Sequence, residues 1–127
     1  MTPPLTIAVK RIYEPAGPEG GARFLVDRLW PRGVSKEKAA LTAWLKPLSP
    51  SDGLRAEFHH AAAHSDAAWD DFRKEYFAAL DAGGDEVAAA LAELDAAMKP
   101  GPVTLVYAAK DADRNNAVAL REWLERR

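Results

Sequence analysis

The chain has 127 residues, 48% of them hydrophobic and 28% charged. That is the composition of one globular domain, and it excludes a disordered, collagen-like or disulfide-held chain. With 17 basic and 19 acidic side chains the net charge is −2, which argues against a general nucleic-acid binder.

Leu5, Ile7 and Val9 alternate with Thr6, Ala8 and Lys10, so a strand is expected over residues 5–12. Glu14 to Gly21 is a turn-rich connection. Phe24, Leu25 and Val26 form a short apolar run, read as a second, buried strand ending near Arg28. Ser35 is placed to cap a short helix through about Leu41. Ala43 to Lys46 reads as a brief extended segment, ended by Pro47 and Pro50. A helix opens at Ser51 or Asp52 and runs to His59 or His60. The next, over 66–82, is capped by Ser65 and carries Trp69, Phe72, Tyr76 and Leu80 on one face. Gly83-Gly84 stops it. Asp85 is expected to cap a further helix striped by Val87, Leu91, Leu94 and Met98, which Pro100-Gly101-Pro102 ends. Val103 to Ala109 is a strand. Asn115 or Asn116 then opens a terminal helix with Ala117, Leu120, Trp123 and Leu124 on one side.

This order predicts an α/β fold in a single compact domain spanning 1–127. The sheet is expected to be small, mostly parallel or mixed, with three to four strands flanked by helices. The first two strands are joined by about eight residues, short for a parallel crossover. An antiparallel pair and a tight irregular crossover are both open.

The near-neutral total hides a segregation: residues 1–50 carry net +4, residues 51–100 carry −7, and residues 101–127 carry +1. Polar residues collect where strands are expected to end. Lys10, Arg11 and Tyr13 close the first. Asp27, Arg28, Trp30 and Arg32 follow the second. Lys110 and Asp111 follow the last, just before Asn115 and Asn116. Open α/β sheets bind ligands outside the carboxyl ends of their strands. Parallel strands would bring these groups together as a cationic pocket beside a helix N-terminus, suited to a phosphate or carboxylate. The ligand-binding candidates are Arg11, Tyr13, Arg28, Trp30, Arg32, Lys36, Asn115 and Asn116. The catalytic candidates are Asp27, Asp111 and Lys110, the two carboxylates serving as a general base or orienting the cations. The competing reading makes these charges salt-bridged partners that hold loops together.

Other chemistries lack their residues. Without cysteine there is no disulfide, thiolate nucleophile or Cys-based metal site. No P-loop, GxGxxG, GxSxG or HExxH string is present. His60 and His64 with Asp66 or Asp70 fall short of a full ligand set, so no metal and no cofactor is expected. The N-terminus has no signal-peptide pattern and no apolar run is long enough to span a bilayer, so a cytoplasmic location away from membranes is expected.

The segments FLVDRLWPRGVSKEKA (24–39), HSDAAWDDFRKEY (64–76) and GPVTLVYAAKDADRNNAVAL (101–120), with RIY (11–13), resemble the bacterial domain of unknown function 488 family, in its short YeaO-like branch. The likeness spans nearly the whole chain. It implies shared positions at Arg11, Tyr13, Asp27, Arg28, Trp30, Arg32 and Lys36. It extends them to Trp44, Trp69, Tyr107, Lys110, Asp111, Asn115 and Asn116. It implies no particular reaction. The family carries Phe-Gly-His-Asp-Pro before the helix tryptophan. Counting from Phe58 selects His60 as its histidine, and counting back from Trp69 selects His64, so this chain has a small insertion there.

The favoured reading is a bacterial cytoplasmic protein that binds a small phosphate-bearing, nucleotide-like anion at the strand ends, with hydrolysis or group transfer as the chemistry if it is an enzyme. A nucleic-acid or protein binding module with a regulatory role is the second reading. A structural or homo-oligomeric protein without catalysis is the third.

Overall fold

The computed structural model describes residues 7–14, 21–60 and 65–127, without the side chains of His59 and His60. Its strands are β1 (Ile7–Arg11), β2 (Ala22–Leu25), β3 (Ala43–Trp44) and β4 (Val103–Tyr107). Its helices are α1 (Lys36–Ala39), α2 (Asp52–His60), α3 (Asp66–Ala82), α4 (Asp85–Met98) and α5 (Asn116–Arg126), with a 3-10 turn at Lys46–Leu48. The expected α/β architecture is present.

The four strands form one parallel sheet in the order β1-β4-β2-β3. β1 and β2 do not pair. β4 lies between them, with Ile7 and Ala22 both opposite Val103. The short connection therefore joins strands that are not neighbours, and no hairpin forms. β4 is buried at every position, which is why VTLVY reads as an almost unbroken apolar run.

The two sheet faces are covered unequally. On one, Ile7, Phe24, Val26, Val103, Leu105 and Tyr107 pack against α3, α4 and α5 in the main core, which includes Phe72, Tyr76, Leu94 and Leu120. On the other, Leu25, Val106 and Ile12 meet, among the described residues, Ala39 and the partly buried Trp30, Val34, Leu41 and Ala108. Arg23 lies on this thin side, 4% exposed. Its Nε donates to the Ala39 carbonyl at 3.0 Å, while one terminal nitrogen has no acceptor among the described residues. Burial lowers its pKa, and the charge of Glu14 opposes that shift.

Local chemistry sets the element ends. Ser35 Oγ accepts the Lys38 N–H at 3.1 Å, but α1 stops at Ala39 because Ala40 turns left-handed at φ 49°. Ser65 Oγ accepts the Ala68 N–H at 3.2 Å and starts α3, which buries Phe72, Tyr76 and Leu80. Gly84, at φ 120°, stands at the N-cap of α4, with no side-chain cap bond. Asp85 is instead the first helical residue, its charge at the positive end of the helix dipole. Asn115 Oδ1 accepts the Val118 N–H at 2.9 Å, so α5 begins at Asn116. β3 ends at Trp44, because Lys46 already belongs to the 3-10 turn.

Gly21 is required where it is. Its φ is +64°, and a Cβ there would sit 2.0 Å from the Pro102 carbonyl oxygen. The entries to the paired strands β2 and β4 are too close for any side chain. On the helical side, Arg73 Nε donates to Glu122 Oε2 at 2.9 Å and ties α3 to α5. That bond raises the arginine's pKa. No described helix is long and apolar enough to cross a membrane.

Candidate functional site

Because every strand runs the same way, the carboxyl ends of all four lie on one edge of the sheet. The groups expected after β1, β2 and β4 therefore share that edge. So do the large apolar side chains left exposed among the described residues: Tyr13 at 49%, Leu29 at 58% and Trp44 at 37%. Exposed apolar surface concentrated at one edge marks a contact site more readily than scattered residues would.

Asp27 is the best-held residue there. Its Oδ2 accepts the Ala108 N–H at 2.9 Å and its Oδ1 accepts Asn116 Nδ2 at 3.0 Å. Its main-chain carbonyl accepts Trp44 Nε1 at 2.6 Å. One residue thus joins the ends of β2, β3 and β4 to the start of α5. Burial pushes the Asp27 carboxyl above its ordinary range, offset in part by the bonds from Asn116 and Ala108 and by the charge of Arg55.

Most of the other sequence-derived candidates also make internal bonds. Arg11 Nε donates to the Ala109 carbonyl at 3.0 Å and a terminal nitrogen to that of Ala108 at 3.3 Å. Its guanidinium also lies 4.8 Å from the Tyr13 ring centroid. The Tyr13 hydroxyl donates to the Arg32 carbonyl at 3.1 Å. Trp30 Nε1 donates to the Val34 carbonyl at 2.8 Å. Asp111 Oδ1 accepts the N–H groups of Asp113 and Arg114 at 2.9 and 3.0 Å, closing the turn before α5. Asn115 Nδ2 donates to the Asp111 carbonyl at 2.9 Å. Behind them burial raises the Tyr107 pKa, with the charges of Glu14 and Asp111 adding to it and those of Arg11 and the Asn115 bond opposing. The Arg32, Lys36 and Lys110 side chains are exposed. The His60 side chain and His64 lie outside the described residues.

Arg28 differs. Its Nε is sealed from solvent with no acceptor at hydrogen-bond distance among the described residues, and is paired with Asp52 Oδ1 at 3.6 Å. Arg28 lines a groove of about 910 Å³ with Trp44, Lys46, Val87, Glu86 and Glu93. Small-molecule sites run from about 300 to 1,000 Å³. Of the candidates taken from sequence, Arg28 alone lines it. The Trp44 ring is fixed by its bond to Asp27 and by Trp30, whose ring meets it at 5.7 Å and 67°. Lys46 Nζ lies 5.5 Å from the Trp44 ring centroid.

Sequence reasoning did not mark Trp44, Lys46, Glu86 or Glu93 as site residues. Two signals were there to use. Glu86 and Glu93 are seven apart, two turns along one helical face. Trp44 lies in the extended segment expected over Ala43 to Lys46 and is among the positions the family resemblance implies.

The family described as "Inactive DUF488-N3 subclade" matches residues 6–127. The uncharacterised protein YeaO of Escherichia coli strain K12 is 40% identical over 120 residues, which cover 94% of this chain and 97% of that protein. The uncharacterised proteins Mb3100c of Mycobacterium bovis and Rv3073c of Mycobacterium tuberculosis are each 35% identical over 121 residues, covering 95% of both chains. No solved structure matches the chain.

Proposed function

Because the chain belongs to the DUF488 family, in the subclade described as inactive, we propose that it works by binding rather than by catalysis, and that its ligand is a small phosphate-bearing, nucleotide-like anion held at the carboxyl edge of the sheet. The observation that carries this reading is Arg28: a guanidinium side chain, 35% exposed, on a ligand-sized groove, its Nε paired with Asp52 Oδ1 at 3.6 Å. The exposed part of the guanidinium can donate charge-assisted hydrogen bonds to an anion in the groove while Asp52 stays at the Nε. Arg28 is the principal clamp, Lys46 stands beside it, and Trp44 supplies a ring wall. Arg32, Lys36 and Lys110, all exposed, add positive field along the edge.

The same reading gives the carboxylates a structural role. Both oxygens of Asp27 accept hydrogen bonds, and Asp111 closes a turn. In this reading they hold the edge in shape and do not act as general bases. A reducing, cytoplasmic location suits a chain with no cysteine.

The test is thermal unfolding in the presence of inorganic phosphate and of adenosine monophosphate, each titrated to saturation. A ligand that binds the folded state raises the melting temperature by mass action. The expected result is a saturable rise with at least one of the two, lost in Arg28→Gln. No rise with either, or an equal rise in Arg28→Gln, would overturn the proposal.

A further inference from the structure

Resting on that reading, we infer that the ligand of the Arg28 groove is dipolar: a phosphomonoester that also carries a protonated amine. The groove has two unlike walls. Arg28 and Lys46 stand on the strand-end side, and Glu86 and Glu93 stand on α4. Among the described residues neither glutamate is in a salt bridge, and neither is Lys46, while Arg28 approaches only Asp52. Opposite charges therefore line one groove without closing on each other.

Each of these side chains limits what can sit between them. A ligand bearing only negative charge would satisfy Arg28 and Lys46 but face Glu86 and Glu93 across the same groove, where like charges repel. The two glutamates lie about 10 Å apart along the helix, at 1.5 Å of rise per residue. They can meet an ammonium group at either of two depths. Phosphate toward Arg28 and Lys46, and ammonium toward α4, satisfies both walls at once. Trp44, already fixed in orientation, supplies the apolar surface between them.

The experiment is calorimetric titration of the full chain with phosphoethanolamine and, separately, with glycerol 3-phosphate, at one pH and ionic strength. Both carry the phosphate, and one adds the amine. Phosphoethanolamine should bind about tenfold more tightly. Both glutamates are exposed, so Glu86→Gln with Glu93→Gln should keep the fold and bring the two affinities level, leaving glycerol 3-phosphate unchanged or tighter. Equal affinities in the native chain, tighter glycerol 3-phosphate, or a preference that survives the double substitution would each overturn the dipolar ligand. In those cases phosphate binding that still depends on Arg28 would leave the anion reading standing. No binding of either compound would overturn the dipolar ligand, while the anion reading would still stand or fall on inorganic phosphate and adenosine monophosphate.

Discussion

Asn116 holds Asp27 and its neighbour together: its Nδ2 donates to the Val26 carbonyl at 2.8 Å and to Asp27 Oδ1 at 3.0 Å. The last helix thereby fixes the residues that follow β2, and Asp27 passes the constraint to β4 through the Ala108 N–H. Asn116→Ala leaves both acceptors short of a donor in a half-buried place. A loss of about 1–3 kcal/mol is expected in urea denaturation. Asn116→Asp should lose more at neutral pH, because two carboxylates would then face each other.

Asp27 also predicts a pH dependence. Its folded pKa is raised above 3.8, chiefly by burial. The stability it contributes is therefore fully present below the unfolded value and is lost as the pH rises through the folded one. Asp27→Asn has no charge to titrate at this position. The stability of the native chain relative to Asp27→Asn should grow as the pH falls from 7 toward 4, followed by chemical denaturation at each pH. A difference that shrinks over that range would show that the hydrogen bonds to the carboxylate outweigh its burial.

Gly21→Ala should be among the most damaging small substitutions. The added methyl must share space with the Pro102 carbonyl oxygen, 2.0 Å from its ideal position, at a φ of +64°. Either the β2–β4 entry spreads or the backbone flips, at a cost of at least about 2 kcal/mol. Gly33→Ala is the control, with a comparable φ of +73° and nothing within 4 Å. It should cost about 1 kcal/mol, the strain alone.

Arg23→Met is expected to be tolerated. The methionine removes a buried guanidinium with an unbonded nitrogen, and gives up one bond to the Ala39 carbonyl. Replacing a buried charge by an apolar side chain of similar length is commonly neutral or stabilising, by up to a few kcal/mol. A fall in stability of more than about 2 kcal/mol would mean that Arg23 holds the thin face of the sheet by more than that bond.

The Arg73–Glu122 pair should couple α3 and α5 measurably. Their side chains are 21% and 33% exposed, more protected than an ordinary surface pair. A double-mutant cycle with Arg73→Met and Glu122→Gln should give about 1 kcal/mol, weakening in high salt. A coupling near zero would leave the helix interface to Phe72, Leu120 and their neighbours alone.

What the sequence revealed follows the range of the forces involved. α3 is legible because its cap, its stripe and its stop all lie within twenty residues: Ser65, then Trp69 to Leu80, then Gly83. β4 is legible as a strand too, because VTLVY is a short, almost unbroken apolar run. The sheet order is not, because β1 meets its partner among the described residues nearly a hundred residues later. The same distance hides the carbonyls at Ala108 and Ala109 that occupy Arg11. Strand-end position was enough to select Arg28 but not its groove. The opposite wall comes from α4, whose two glutamates look like any solvated helix face until the fold sets them across from Arg28 and Lys46.

The central place of β4 has a consequence for how the chain is made. Among the described residues β1 pairs with β4 alone, and β2 has only the two-residue β3 as another partner. While the ribosome is still adding residues before Val103, the nascent chain can build helices and the β2–β3 contact but not the sheet. Its N-terminal strand waits unpaired through most of synthesis, and a chain truncated before residue 103 would leave that strand as an open template for other chains.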